Sequence, residues 1–314
     1  MENNETEIYF LSAIHKSTIW GGNLLKKIFE DINEESIGET WVVASLKKDQ
    51  SHIMNGQFLG KSINELFNNE PHLFGYYPTN EFPILIKYID AKSNLSIQVH
   101  PNDLYAKKIE NSYGKSEFWL VLGANEESQM ILGHQYLDKN SFKNAIINDS
   151  FDAGLNIINI HKNETYYVPA GTVHAICENS LIYEVQQNSK VTYRIYDYGR
   201  KDLEGNIREL HINKALDVSD IPMKPLIRNR LRLPINKIEV VCNEDYFRIE
   251  SLLVRDNFSY ECFGYFNIVG CVEGEGYINE YPVKNGDHIL VPHQVKQLKI
   301  NGNIHLIIST PKTS

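Results

Sequence analysis

The chain has 314 residues, of which 42% are hydrophobic and 23% are charged, the balance of an ordinary soluble globular protein. This length is enough for about two domains, each with a core of useful size. The formal net charge of −9 argues against a nucleic-acid-binding surface or a surface for anionic membranes. It also means that any pocket for a phosphate must be locally basic.

The cysteines and the N-terminal sequence together predict a reducing compartment. The four cysteines form no C-x-x-C pair, so neither a thiolate zinc site nor a redox motif is indicated. Residues 1–16 (MENNETEIYFLSAIHK) start acidic and contain no apolar stretch typical of a signal peptide. No apolar run approaches the roughly 20 residues that span a bilayer. We therefore expect a cytoplasmic protein without a membrane partner.

Short strand-like runs separated by turn signals are the main feature of the chain. In chain order they cover residues 82–89, 94–99, 118–121, 165–168, 181–186 and 192–196. Helical periodicity is confined to the segments 62–68, 102–110, 139–148 and 213–218. Ser62 is the candidate N-cap of the first helix. Many short strands with few helices predict a mainly β protein built from sandwiches or barrels.

The first candidate site residues lie in the segment 96–101 (SIQVHP). Side chains alternate along a strand, so Gln98 and His100 share one face and lie roughly 6 to 7 Å apart. Pro101 then ends the strand pairing. Taken alone, such a histidine is more often a hydrogen-bonded structural residue than a metal ligand.

Two further segments add a carboxylate and a second imidazole. Glu117 lies in the strand-like segment 114–120, where a buried carboxylate needs a metal or a basic side chain as its partner. A tight turn at 168–173 precedes His174, which opens the next strand. Each residue alone fits a structural role. Two histidines, one glutamate and one glutamine without cysteine, however, form a nitrogen and oxygen set suited to Zn²⁺ with an open coordination position.

The Q-x-H, E and P-x-G-x-x-H pattern of these residues resembles the metal motifs of cupins, with Gln98 in place of the usual first histidine. Further motifs in the same order resemble the type I mannose-6-phosphate isomerases, in a short bacterial form without a large helical insertion. They are 20–22 (WGG), 38–41 (GETW), 83–87 (PILIK), 95–101 (LSIQVHP), 114–119 (GKSEFW), 168–174 (VPAGTVH), 183–188 (YEVQQN) and 192–198 (TYRIYDY). The resemblance is good over about residues 8–220 and thin beyond them.

The resemblance implies two cupin-type jelly-roll β-barrels or sandwiches with a few short helices. It also implies an enzyme that interconverts mannose 6-phosphate and fructose 6-phosphate, a phosphorylated hexose being its partner. The implied ligands of one Zn²⁺ per chain are Gln98, His100, Glu117 and His174. The implied catalytic or pocket residues are Arg194, Glu184 and Lys115, while Lys87 and Glu39 also match family positions.

The chemistry of this isomerisation agrees with those residues. A proton moves between C2 and C1 through an enediol, so the site needs a group that polarises the carbonyl and a base. Arg194 suits the developing negative charge, although a structural salt bridge with Asp197 is the alternative. Glu184 is the candidate base, and a zinc-bound hydroxide is its rival. Lys115 lies two residues from Glu117, so we expect both on one face, close to the metal.

The remainder of the chain predicts a second β module. A proline-containing segment at 221–234 is the candidate connector, and from about residue 236 the sequence is rich in strands again. The segment 283–292 repeats the strand, turn and strand arrangement of 165–174, which indicates a weak internal duplication. We predict an N-terminal segment with the catalytic metal-binding cupin, 1–225, and a metal-free cupin-like β domain, 226–314. His288, His293 and His305 do not fall at ligand spacing.

Three points stay open at this stage. Two histidines and one carboxylate are also the ligand set of iron oxygenases, so a different metal-dependent cupin enzyme is one alternative. A non-catalytic sugar-binding cupin is the other, although Lys115 and Arg194 are charges that such a pocket does not require. Trp20 and Trp41 fit either core packing or pocket lining. The sequence does not determine the oligomeric state, and a monomer is one option.

Overall fold

The computed structural model describes residues 7–148, 150–224 and 226–313. The first six residues of the predicted N-terminal segment, and residue 225 at the predicted domain boundary, lie outside the described residues. The α-helices of the described part are α1 (Ile63–Asn69), α2 (Asp103–Glu110), α3 (Lys139–Ile147) and α4 (Ile212–Val218). Each lies within about one residue of a predicted helix, so all four predictions are confirmed.

Helix α1 begins where its sequence predicts. The Ser62 hydroxyl accepts a hydrogen bond from the Glu65 amide at 3.2 Å, and the Glu65 carboxylate accepts one from the Ser62 amide at 2.8 Å. This reciprocal pair satisfies two amides that have no partner inside the helix, a capping box. The prediction that Ser62 is the N-cap is therefore confirmed.

The three longest strands of the described residues, of 12 to 15 residues each, lie in the last third of the chain. The first ten are β1 (Tyr9–Phe10), β2 (Ile14–Lys16), β3 (Glu39–Val43), β4 (Ser45–Leu46), β5 (Asp49–Gln50), β6 (Ile84–Ala91), β7 (Ile97–Val99), β8 (Glu117–Ala124), β9 (Gln129–His134) and β10 (Leu155–Asn159). The next are β11 (Glu164–Val168), β12 (His174–Ile176), β13 (Ser180–Gln187), β14 (Tyr193–Tyr196), β15 (Ile227–Arg230), β16 (Ile238–Asn243), β17 (Phe247–Glu261), β18 (Asn267–Ile278), β19 (Tyr281–Lys284), β20 (His288–Val291) and β21 (Gln297–Pro311). The six predicted strands are among them.

Three antiparallel sheets and the β4–β5 hairpin contain these strands. The central sheet has the order β15-β11-β8-β13-β6-β3-β2, and the outer sheet has the order β10-β9-β12-β7-β14. The C-terminal sheet has the order β1-β20-β18-β21-β17-β16, with β19 paired to β18. The predicted mainly β fold is confirmed. In the described residues the sheets stay open, so the architecture is that of packed sandwiches and not of closed barrels.

The central sheet is the middle layer and is covered on both faces. All eight residues of β6 are buried. Tyr183 and Val185 of β13 pack against Phe247 and Ile268 of the C-terminal sheet, while Glu184 points into a cavity beside the outer sheet. This alternation lets one strand build an apolar interface on one side and a polar site on the other.

Helices α3 and α4 cover part of the outer face of the outer sheet. Val99 and Ile195 point outward from this sheet and pack with Phe142 of α3 and Leu216 of α4. Because neighbouring residues of a strand face opposite sides, Gln98 and Arg194 point inward, toward the central sheet. The helices therefore fix the position of the sheet that supplies half of the cavity wall.

Two short strands pair with a sheet on the other side of the predicted domain boundary. Strand β1, near the start of the chain, pairs with β20 of the C-terminal sheet, and β15 pairs with β11 of the central sheet. The division at residues 225 and 226 stays a prediction. None of the helices in the described residues has the length and apolar character needed to cross a membrane.

Candidate metal centre and active site

The polar cavity lies between the inner faces of the central and outer sheets. From the outer sheet, Gln98 of β7 lies between His174 of β12 and Arg194 of β14 at directly paired positions. From the central sheet, Lys87 of β6 is paired with Glu184 of β13. Antiparallel register thus brings residues that are far apart in sequence onto two facing walls.

Three of the predicted metal ligands converge in this cavity. The candidate ligand atoms of His100, Glu117 and His174 all lie within 4.8 Å of one another, and all three side chains are buried. The His100 Nε2 atom is 3.2 Å from Glu117 Oε1, and the His174 Nε2 atom is 3.7 Å from Glu117 Oε2. This is the spacing at which three side chains can hold one cation.

Gln98, the fourth predicted ligand, lies beside this cluster. Its Nε2 atom is 3.4 Å from His174 Nε2, and its Oε1 atom accepts a hydrogen bond from the Ser96 hydroxyl at 3.3 Å. The two ends of an amide have nearly the same shape, so the bonding network decides which end faces the histidine. The side chain is thus placed to present its oxygen to a cation after an amide flip.

Backbone carbonyls orient both histidines. His100 Nδ1 donates to the Val191 carbonyl at 2.9 Å, and His174 Nδ1 donates to the Thr172 carbonyl at 2.9 Å. The Nε2 lone pair of each ring then faces the cluster. Burial, followed by the nearby Lys115, lowers the pKa of His100, and burial also lowers the pKa of His174. Neutral, oriented imidazoles are the form that binds a metal.

The turn before β12 fixes the position of His174. Gly171 has a φ of +94°, and a Cβ atom at this residue would lie 2.9 Å from the Asp220 carboxyl carbon. Glycine alone fits this backbone without strain or a clash. The turn therefore delivers His174 as the first residue of β12 with little freedom.

Glu117 is the acidic centre of the cluster. Its Oε1 atom is 2.9 Å from Lys115 Nζ, and its Oε2 atom is buried without a hydrogen-bond partner. Burial raises the pKa of Glu117, but its basic neighbours, Lys115 first, outweigh that effect and hold the pKa below its usual value. An ionised, buried carboxylate with one unpaired oxygen suits a divalent cation, so the donor set fits a metal.

Lys115 reaches the cluster by a route that the sequence did not predict. It precedes β8, which begins at Glu117, so the two residues do not share a regular strand face. Its ammonium nevertheless lies 3.3 Å from His100 Nε2 as well as close to Glu117. The expected proximity of Lys115 to the cluster is present, but it comes from the chain entering the strand.

A second buried charge pair lies next to the cluster. Lys87 Nζ is 3.1 Å from Glu184 Oε2 and 3.4 Å from Glu39 Oε1. Burial and then repulsion from Glu117 raise the pKa of Glu184, and the lysines oppose this rise. Burial lowers the pKa of Lys87, but Glu184 and Glu39 outweigh it, so the ammonium stays charged. Glu184 is thus a carboxylate with raised basicity beside a fixed cation.

Arg194 lines the cavity without a partner for its guanidinium among the described residues, and its Nε atom is buried and unsatisfied. The alternative of a salt bridge between Arg194 and Asp197 is wrong, because Asp197 binds Arg200 and Arg208 instead. Arg208 also lines the cavity, and sequence reasoning missed it. It follows β14 on an irregular segment, where no periodic pattern predicts the direction of a side chain.

Trp20 and Trp41 both pack in a hydrophobic core and also lie next to polar groups. Trp20 belongs to the core between the central and outer sheets and also lines the cavity. Trp41 packs in a small core and donates its Nε1 hydrogen to Glu39 at 2.6 Å. Trp41 therefore restrains the carboxylate that binds Lys87.

The C-terminal histidines lie in separate places. His288 contacts the Tyr183 hydroxyl, His305 contacts the Ser251 hydroxyl, and His293 contacts the Tyr265 carbonyl. His288 opens β20 after a glycine turn and donates from Nδ1 to the carbonyl two residues earlier. His174 has the same arrangement. This local likeness supports the predicted internal duplication.

A packed β-sandwich with a buried His-Glu-His cluster defines a cupin with a candidate metal site. Comparisons with known proteins agree. The family model for the catalytic domain of type I phosphomannose isomerase matches residues 8–130, and the model for the cupin domain of mannose-6-phosphate isomerase matches residues 236–311. The chain is 35% identical to the mannose-6-phosphate isomerase ManA of Bacillus subtilis, over 97% of this chain and 99% of the relative.

Two further relatives extend this finding. A mannose-6-phosphate isomerase of Streptococcus mutans is 34% identical over 96% of this chain and 97% of its own length. The crystal structure of a mannose 6-phosphate isomerase from Bacillus subtilis superimposes with a TM-score of 0.87 at 32% identity, covering 96% of this chain and 99% of that one. The chain therefore belongs to the mannose-6-phosphate isomerase family.

Proposed function

We propose that this enzyme interconverts mannose 6-phosphate and fructose 6-phosphate through an enediol. The observation that carries the proposal is the convergence of His100, Glu117 and His174 in the cavity that also contains Glu184 and Arg194. A cation site, a basic carboxylate and a guanidinium can together polarise the carbonyl, move the carbon-bound proton and stabilise the negative charge in an aldose–ketose exchange.

We propose Zn²⁺ as the metal, with Gln98, His100, Glu117 and His174 as its ligands. A nitrogen and oxygen set of this kind suits zinc, and the oriented imidazoles support this assignment. Bound there, the metal would polarise sugar oxygens as a Lewis acid. The chain's own residues supply the remaining steps.

Glu184 is proposed as the base that removes the proton from C2 and returns it to C1, or the reverse. Its raised pKa gives it the basicity for the task, and Lys87 holds the carboxylate in place at 3.1 Å. Arg194 faces the same cavity and would stabilise the negative charge that develops on the enediolate oxygens. Lys115, beside Glu117, is proposed to contact a sugar hydroxyl near the metal.

We also propose that the enzyme works in the cytoplasm. All four cysteines are free, which is consistent with a reducing compartment. Residues 1–225 are proposed as the catalytic unit and residues 226–314 as a supporting unit, consistent with the position of the candidate ligands between the central and outer sheets.

A coupled assay tests the proposed function. The protein is purified without added metal, its metals are quantified, and both sugar phosphates are assayed before and after chelation. We expect about one zinc per chain, activity in both directions, loss of activity on chelation and recovery on adding zinc. Full activity after complete metal removal, or activity confined to unphosphorylated sugars, would contradict the proposal. Oxygen consumption would instead indicate an oxygenase.

A further inference from the structure

The charged side chains of the cavity form two groups. Near the candidate metal ligands, the carboxylates of Glu39, Glu117 and Glu184 outnumber the ammonium groups of Lys87 and Lys115, and each lysine binds at least one of these carboxylates. Both lysines are therefore already paired, so neither ammonium group is free to bind a phosphate.

The second group consists of two arginines. Arg194 and Arg208 both line the cavity, and Arg208 has a side chain that is 18% exposed. Burial first, and then the charge of Arg208, lower the pKa of Arg194. Two guanidinium groups that repel each other across a shared space are stabilised by an anion that binds both.

Arg208 is held in place by a buried acid. Asp197 is 3% exposed and binds Arg208 Nη1 at 3.1 Å through Oδ1. Arg200 binds the same oxygen and also donates to the Asn94 carbonyl, which ties Asp197 to the β6–β7 connection. Asp197 thus takes one nitrogen of Arg208, and the other donors of the guanidinium remain available to a ligand.

We propose that Arg208 binds the phosphate of the substrate and sets the preference of the enzyme for phosphorylated over unphosphorylated hexoses, with Asp197 as its positioning residue. This inference rests on the proposed function. The phosphate then binds at Arg208, while C1 and C2 lie beside Glu184 and face Arg194. The planar guanidinium of arginine is well suited to a charge-assisted, bidentate contact with phosphate.

The test compares the wild type with Arg208→Gln and Arg208→Lys on mannose 6-phosphate and on mannose. For Arg208→Gln we expect KM for the sugar phosphate to rise about 10- to 100-fold, the range of one lost charge-assisted hydrogen bond, while kcat/KM for mannose changes little. Inorganic phosphate should inhibit the variant correspondingly less. The KM of Arg208→Lys for the sugar phosphate should lie between those of the wild type and Arg208→Gln. Added guanidinium ions should partly restore the KM of Arg208→Gln and should not change that of the wild type.

Two more variants separate positioning from general damage. Asp197→Asn should raise the same KM without removing the arginine, and guanidinium should not rescue it. Arg228→Gln removes an arginine that binds a carboxylate, Glu164, outside the cavity, and it should leave phosphate selectivity unchanged. Circular dichroism verifies the fold of each variant.

The outcomes distinguish this inference from the proposed function. If the wild type is active and Arg208→Gln has the same selectivity for phosphorylated sugars, only the role of Arg208 is overturned. An inactive wild type overturns the proposed function. In that case calorimetric titration with inorganic phosphate still decides the role of Arg208, since equal binding to wild type and Arg208→Gln would refute it.

Discussion

The Lys87 ammonium lies 3.1 Å from the Glu184 carboxylate at directly paired positions of two central strands. Both side chains are buried, so neither charge has water to compensate for the loss of the other. The pair keeps a carboxylate of raised pKa in one orientation beside the candidate metal ligands. A base held in this way does not have to be ordered again at each turnover.

Replacing Glu184 by glutamine tests its role as the base. Glu184→Gln keeps the shape of the side chain and removes its basicity, so we expect kcat to fall by about 10²- to 10⁴-fold with little change in KM. Steady-state assays in both directions measure this. Glu178→Gln, an exposed change just before the same strand, is the matched control and should retain full activity. Unchanged kcat in Glu184→Gln would assign the base to another group.

Removal of one candidate ligand tests the metal centre directly. His174→Ala should lower zinc content well below one per chain and reduce activity at least about 100-fold, because a vacant coordination position weakens the site more than a lost outer contact does. Elemental analysis and thermal melting with added zinc give readouts that do not depend on turnover. His161→Ala, an exposed histidine elsewhere, should bind zinc like the wild type. Stoichiometric zinc in His174→Ala would remove this residue from the ligand set.

The buried His288 predicts a pH dependence of stability. Burial lowers its pKa from 6.5 to about 4. Between these values the unfolded chain binds a proton at this residue and the folded chain does not, so the free energy of unfolding falls as pH decreases from about 6.5 to about 4. The difference corresponds to roughly 3 kcal/mol.

Urea unfolding at a series of pH values checks this dependence. His288→Gln should remove the contribution of this residue, while His305→Gln removes a separate one, because His305 also has a pKa lowered to about 4 by burial. His52→Gln, at an exposed histidine, is the control for the loss of a histidine side chain. A wild-type stability that is flat between pH 4 and 6.5 would show that His288 titrates normally.

Local patterns predicted the elements and the candidate ligands, because alternation and turn chemistry act over a few residues. Ser62 as a helix cap and the shared face of Gln98 and His100 are examples. Patterns did not predict Arg208 or the partners of Asp197, since these depend on where an irregular segment folds back over the cavity. Patterns also placed Lys115 and Glu117 on one strand face, which is wrong because strand β8 begins only at Glu117.

Strand β13 divides its residues between two surfaces, and this limits how its length can change. Deleting one residue would turn Tyr183 toward the ligands and move Glu184 into an apolar interface, so both surfaces would fail together. Descendants of this protein can exchange single side chains in the strand, but they cannot insert or delete one. The irregular segment with Arg208 has no such constraint, and new substrate preferences are therefore easier to acquire there.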